Sequence, residues 1–364
     1  ENLVIQAAPA GVALHGGFDC AEWTQSSAPT TVAPPSGYPL HVLGAAALVE
    51  SMTLTAPDAT DPGGSSIAAF ADGSPGMTFR RAAVTAGAGK DGATGTQLAV
   101  ASPNKSGISN TTGNTCPAVT CACATDTTTG GSGGGYFDAG YTSPTSGLPV
   151  INGDLDAGHA GGPATLPAAG ANGVDGKAGS STGSLGELTA NGWVASGGAT
   201  GNGGGTAQGG GGATGDPGLP NAGGGSGACG GCGGQGGAGG GGGGASIAIA
   251  SLNTTLRVQA STVKAAKGGN GGNGVLGQPG QPGGTGGTGP GGPAGGGGTG
   301  GNGGAGGGGA GGISVAVATN QGSPKPDVDS SSTVLAGTPG SGGHDGTAAQ
   351  TKAIDGIADT LHSF

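Results

Sequence analysis

The stretch ASIAIASLNTTLRVQASTVKAAKGGNGGNG, residues 245–274, decides the fold. Ser246-Ile247-Ala248-Ile249-Ala250 and Leu256-Arg257-Val258 are short apolar and β-branched runs punctuated by turn residues, which reads as strands. From Gly268 onward glycine recurs at every third residue. The chain passes from strand directly into a glycine-rich arm.

Working outward, the same pattern occurs earlier. Ser66-Ile67-Ala68-Ala69-Phe70 matches Ser246–Ala250, Met77-Thr78-Phe79 matches Leu256–Val258, and Val84 matches Val263. A third copy begins at Ser314-Val315-Ala316-Val317 and continues through Val328 and Val334. Each copy runs into a glycine tract, at Gly87–Gly92, Gly268–Asn270 and Gly337–Gly340. Within residues 1–92, Leu40 and Ile67, and then Met52 and Met77, suggest a period near 25 residues, the size of one coil of a parallel β-solenoid. One such coil cannot bury its own inner face, so coils must stack.

The expected class is therefore all-β and irregular: a parallel β-helix (solenoid) scaffold with long glycine-rich insertions packed as polyglycine-II helices. Solenoid coils are expected at 1–92, 245–267 and 313–336. Residues 93–160 read as irregular Ser/Thr/Gly-rich loops with a strand near 148–151. Residues 161–244 and 268–312 read as arms. The polar tail, 337–364, offers two readings: a short helix over 348–361, or a strand that leaves the scaffold to meet another chain.

The second arm carries fourteen consecutive glycine triplets: Gly268, Gly271, Gly274, Gly277, Gly280, Gly283, Gly286, Gly289, Gly292, Gly295, Gly298, Gly301, Gly304 and Gly307. A left-handed extended helix has three residues per turn and rises ~3.1 Å per residue, so these glycines form one contact edge. Without a Cβ, that edge admits another backbone. Glycine also fills many positions between the triplets, and proline is far below the collagen level. Both facts favour a lattice of single helices over a three-chain coil. A straight arm would be about 130 Å long, so it must fold back into two or three legs.

Composition excludes several classes. Of 364 residues 96 are glycine, only 8% are charged and 3% aromatic, against about 7% glycine and 25% charged in ordinary domains. With a net charge of −10 there is no basic stripe for nucleic acid. No apolar run is long enough for a membrane helix. Beginning at Glu1, the chain fits a processed secreted protein or a fragment boundary equally well.

Cys20, Cys116, Cys121, Cys123, Cys229 and Cys232 are disulfide candidates in a chain with little conventional core. In an extended leg Cys229 and Cys232 lie ~9 Å apart, beyond the ~7 Å limit for a mutual bridge. Cys116, Cys121 and Cys123 are then natural partners, with Cys20 completing an even set. A local Cys229–Cys232 loop or a metal pair is the alternative, although no histidine completes a ligand set.

The serine-elbow match Gly130–Gly134 lacks a preceding strand. The pairs Asp154/Asp156 and Asp327/Asp329 read as turn residues, and Arg80-Arg81 as a local ion-pairing or solvated pair. Trp23 is expected to pack a scaffold corner and Trp193 an arm base, with a carbohydrate platform as the other use. No catalytic, metal or cofactor residue is assigned, so no enzyme is expected.

The segments VALHGGFDCAEW (12–23), APTTVAP (28–34), DPGGSSIAAFADG (61–73), RRAAVTAGAGKDG (80–92) and ASIAIASLNTTLRVQASTV (245–263) resemble glycine-rich secreted or surface proteins of myxobacteria and related bacteria. The resemblance implies a β-helix scaffold with glycine-rich insertions and carries over no catalytic residue. The arms also resemble the polyglycine-II bundles of phage tail-tip adhesins and springtail antifreeze proteins. The expected function is an extracellular structural protein, a self-associating subunit of a filament, fibre or surface layer. A cell-surface adhesin is the alternative, and a carbohydrate-binding or polysaccharide-degrading β-helix protein a third. Contact with a cell surface or polysaccharide is a further expectation.

Overall fold

The computed structural model describes residues 2–364 except 7–10, 20, 27, 98–104, 111–114, 125, 138–139, 152–155, 162–165, 217 and 220–221. Five coils of three strands each build the scaffold. The first is β1 (Leu3–Gln6), β2 (Val12–His15) and β3 (Thr30–Val32); the second is β4 (Leu40–Leu43), β5 (Ala47–Glu50) and β6 (Met52–Thr55). The third is β7 (Ser66–Asp72), β8 (Met77–Arg80) and β9 (Ala83–Thr85). Three antiparallel hairpins follow within the first long insertion: β10 (Val119–Ala122) with β11 (Thr127–Gly130), β12 (Gly135–Phe137) with β13 (Gly140–Thr142), and β14 (Gly186–Thr189) with β15 (Gly192–Ala195). The fourth coil is β16 (Ser246–Leu252), β17 (Leu256–Gln259) and β18 (Thr262–Lys264), and the fifth is β19 (Ser314–Thr319), β20 (Asp327–Val328) and β21 (Thr333–Leu335). A last strand, β22 (Ala358–Ser363), follows.

The coils stack into three parallel sheets. Sheet 1 has the order β1-β4-β7-β16-β19-β22, sheet 2 β2-β5-β8-β17-β20, and sheet 3 β3-β6-β9-β18-β21. Repeating parallel strands across three sheets are the arrangement of a β-solenoid. The long-range matches read in the sequence are strand registers: Ile67 lies beside Ile247, Met77 beside Leu256, Val84 beside Val263 and Ser246 beside Ser314.

The 25-residue period is not the coil length. Leu40 pairs with Ala69, Val49 with Phe79 and Leu54 with Val84, so the step from the second coil to the third takes 29 or 30 residues. Met52 belongs to sheet 3 and Met77 to sheet 2. The difference is β5, Ala47-Leu48-Val49-Glu50, a short strand between Leu43 and Met52 that a preceding alanine run and the terminal Glu50 hide. In the second, third and fourth coils a left-handed residue turns the corner: Gly44, Gly73 and Asn253 after sheet 1, Ser51, Arg81 and Ala260 after sheet 2.

Two apolar clusters hold sheet 1. Inside the solenoid, Leu40, Val42, Val49, Leu54, Met77, Phe79, Val84, Ile249, Leu256, Val258 and Val317 form the core. Outside it, Ile67, Phe70, Ile247, Ile313 and Val315 are covered by Leu188 and Trp193 of the β14–β15 hairpin and by Phe364. Sheet 1 is thus buried on both faces, which explains the unbroken apolar runs of β7, β16 and β19. Strands β4, β6 and β8 alternate between core and surface.

Three insertions between coils run out from the scaffold and return as extended legs. The main ones are 86–97, 105–110, 168–182, 197–214, 223–244, 268–288, 294–312, 337–346 and 351–357. Hydrogen bonds join them at three-residue steps: Gly231, Gly234, Gly237 and Gly240 donate to Gly298, Gly301, Gly304 and Gly307. Leg 294–312 is ringed by six others, joined for example by Gly300 N to Gln281 O, Gly237 N to Gly304 O, Gly301 N to Gly205 O, Gly176 N to Asn302 O, Gly311 N to Ile354 O and Gly343 N to Gly309 O. Neighbours in the ring bond to one another as well, so the packing is hexagonal. The legs satisfy their backbone groups through each other, as buried peptide units must.

The tail forms no helix over 348–361; residues 351–357 are a leg and β22 pairs with β19 of the same chain. No strand forms at 148–151, where Leu148 makes a single bridge to Thr129.

Candidate functional site

The feature the fold devotes most residues to is the leg bundle. The fourteen glycines of the second arm do not form one edge. A turn at 289–293 divides them, and Gly292 sits there at φ 119°. Gly268, Gly271, Gly274, Gly277, Gly280, Gly283 and Gly286 face the carbonyls of Gly312, Gly309, Gly306, Gly303, Gly300, Gly297 and Ala294 on the returning leg. Gly289 lies against Gly223 O. Gly295, Gly298, Gly301, Gly304 and Gly307 face Ala168, Ala171, Val174, Lys177 and Ser180 of a different leg. A Cβ at any of these facing positions would land inside a neighbouring carbonyl group.

Each leg has three rows of residues, and neighbours decide which rows are glycine. On leg 294–312 a second row, Gly297, Gly300, Gly303, Gly306, Gly309 and Gly312, faces leg 229–244. On the third row Gly308 and Gly311 meet Gly343 and Gly340 of the short leg 337–346. Beyond the end of that short leg the third row becomes Ala305, Asn302 and Thr299, and the last two are exposed.

Side chains on outer rows cap amides of adjacent legs. Asp91 Oδ1 accepts from Asn270 N at 2.6 Å, and Asn270 Oδ1 from Ser341 N at 3.0 Å. Asn273 Oδ1 accepts from His344 N at 2.8 Å, and Asp175 Oδ1 from Asn302 N at 2.7 Å. The repeated Gly-Gly-Asn at 268–273 was the signal for this role, and sequence reading passed over it.

Two disulfides, Cys121–Cys229 and Cys123–Cys232, tie the β10–β11 hairpin to leg 223–244. Cys229 and Cys232 therefore bridge to another segment and not to each other. Cys116 is a buried free thiol, and burial raises its pKa. Cys20 and Asp154 lie outside the described residues.

The scaffold's polar cluster centres on Glu50, 6% exposed. It accepts from Arg80 Nε at 2.7 Å and Nη2 at 2.8 Å, and it meets Arg81 and His15 Nδ1, the latter at 3.0 Å. The Arg80 hydrogen bonds hold its carboxyl below the usual range. Arg80-Arg81 is thus a local ion-pairing pair. Asp327 pairs with Arg257 at 2.9 Å, and Asp329 accepts from Ala260 N and Ser332 Oγ in a turn. His41 packs against Tyr38 and Phe70, and burial lowers its pKa.

Trp193 is 8% exposed at the arm base, against Phe364. Trp23 does not pack a corner. It is 78% exposed on a loop folded around Asp19, at φ 55°. At the far end of the bundle Ile108, Tyr141 and Leu219 are exposed.

Among the described residues no group of three or more His, Cys, Asp or Glu side chains could hold a metal ion, and no helix is long and apolar enough to cross a membrane. Comparisons of this chain with protein families, curated proteins and solved structures find no match.

Proposed function

We propose that this is an extracellular, non-catalytic structural protein whose legs are polyglycine-II helices and whose copies associate into a filament, fibre or surface layer. The observation that carries the reading is the ring of six legs that closes around the scaffold end of leg 294–312, bonded at three-residue steps. Three residues per turn is the repeat of the extended glycine helix. Few side chains remain in the bundle to do chemistry, whereas its backbone surfaces suit repeated packing. The likeness to myxobacterial surface proteins belongs to the same proposal, as does secretion, which the two disulfides favour.

Self-association is supported by sheet 1, where β1 and β22 each pair on one side only. Open strand edges pair readily with further strands. Negative-stain electron microscopy of concentrated protein tests this. Filaments or sheets with a regular subunit spacing are expected; dispersed particles at every concentration would reject it.

An adhesin is the second reading, favoured by Ile108, Tyr141 and Leu219 exposed at the bundle's far end and by the exposed Trp23. Such aromatic and aliphatic groups suit contact with a cell surface or a polysaccharide.

A further inference from the structure

One position of the leg lattice is filled for half its length. It lies between legs 197–214 and 223–244. In the half far from the scaffold, residues 127–134 occupy it: Gly131 and Gly134 donate to Gly210 and Ala213, while Gly224 and Gly227 donate to Gly134 and Gly131. In the half near the scaffold the same two rows continue, and among the described residues none bonds between them. Among the described residues, the amides of Gly233, Gly236 and Gly239 have no acceptor, and the carbonyls of Gly198, Gly201 and Gly204 receive no amide. Gly233, Gly236 and Gly239 are half-buried, whereas Gly224 and Gly227 are buried. This is an open lattice edge with donors on one wall and acceptors on the other, at three-residue spacing.

The row of leg 197–214 that faces this position is Gly197, Thr200, Gly203, Thr206, Gly209 and Gly212. A Cβ at Gly209 or Gly212 would strike the backbone of Thr129 or Ser132. At Gly203 the nearest atom to such a Cβ is Gly234 O at 3.6 Å, so there is room for a side chain. Segment 127–134 thus lies against Gly209 and Gly212 and stops short of Thr206 and Thr200. In the equivalent row of leg 268–288, Gly269, Gly272, Gly284 and Gly287 face the carbonyls of Lys90, Ala93, Lys105 and Ile108 in segments 86–97 and 105–110, with Val275, Gln278 and Gln281 filling the row between. These described segments also run parallel to the leg they meet and lie against its glycines.

We infer that Thr200 and Thr206 are gatekeepers: each puts a Cβ where another backbone would lie, and together they keep the open edge from capturing a glycine-rich leg of a second copy. The occupant they exclude is a second copy because the edge continues an interface that this chain's own residues complete. Unpaired strand edges are protected against lateral pairing in the same way, by side chains that obstruct approach. The effect is to suppress side-to-side association through the bundle. This inference does not depend on whether the wild-type protein forms filaments.

The test compares the full-length T200G/T206G, T200A/T206A and wild-type proteins. Thr200 is exposed and Thr206 half-buried, so the fold should be kept, and circular dichroism with thermal melting checks it. Sedimentation velocity and hydrogen exchange at matched concentrations give the readout. T200G/T206G is expected to associate at concentrations at least tenfold below wild type, with new protection at Gly233, Gly236 and Gly239. T200A/T206A, which keeps the Cβ, should behave as wild type. A folded glycine variant with unchanged association and unprotected amides overturns the inference, as does an alanine variant that associates equally. If the glycine variant loses its fold, T206G alone is used, since it extends the filled segment's glycine row by one step. Unchanged exchange at Gly233 in folded T206G likewise overturns it. Wild-type protein already protected at these amides would also refute it.

Discussion

Replacing Gly301 by alanine is expected to destabilise the protein by about 3 kcal/mol, the upper part of the usual range for forcing extra volume into packed structure. The added Cβ would meet the backbone of Val174 and Asp175. Neither side can yield easily. Gly301 donates to Gly205 and accepts from Gly234, while Val174 accepts from Gly205. Moving one leg by the required distance breaks a row of bonds on two others. The conservative nature of the change is misleading, since Gly→Ala at an unconstrained site stabilises by up to about 1 kcal/mol. Thr299→Ala, two residues away on the exposed row, should stay within about 0.5 kcal/mol of wild type. Urea unfolding of both variants decides the matter. Equal midpoints for the two would show that Gly301 does not sit against another leg.

Reducing the disulfides should have the other large effect. Cys121–Cys229 and Cys123–Cys232 span 108 and 109 residues. Closing a loop near 100 residues restricts the unfolded chain by roughly 4.7 kcal/mol in the chain-entropy account. Once one bridge has formed, the other closes only the short segments between the paired cysteines, which the same account values at roughly 2 kcal/mol. Dithiothreitol is therefore expected to lower unfolding stability by about 6–7 kcal/mol. Either bridge alone, in C121S/C229S or C123S/C232S, should retain most of it. The site of first loss is also specified. The bridges hold the β10–β11 hairpin to leg 223–244, far from the solenoid, so residues 119–134 should lose exchange protection before the core around Phe79 and Ile249 does. A midpoint unmoved by reduction, with the thiols shown to be free, would contradict this.

How much of this was legible depended on whether a signal lay within one segment or between two. The pairing of β7 with β16 could be read because both strands carry the same Ser-Ile-Ala start. The coil length is hard to read because β5 is only Ala47-Leu48-Val49-Glu50, runs out of an alanine stretch and ends in Glu50, whose charge disguises a position buried by Arg80 and Arg81. The triplet register of 268–307 was visible, but its division at 289–293 was not: the turn keeps glycine on the same count of three while the chain reverses. Nor can one leg's sequence say which neighbour a row faces. Thr206 reads as an interruption in a glycine tract, and its significance appears only beside the segment 127–134. Trp23, expected at a scaffold corner, is held in solvent by the loop around Asp19, a placement its own residue type does not signal.

The central claim is that the glycine arms form an ordered lattice, which composition alone would not require. Hydrogen exchange of leg 294–312 tests it most directly, because four legs flank it along its length and two more close over its end near the scaffold. The amides of Gly297, Gly300, Gly303 and Gly306 donate to Gly284, Gln281, Gln278 and Val275. They should exchange at least a thousandfold more slowly than unstructured glycine, corresponding to an opening free energy of about 4 kcal/mol. Exchange of these amides at the rate of an unfolded glycine-rich chain would contradict the account.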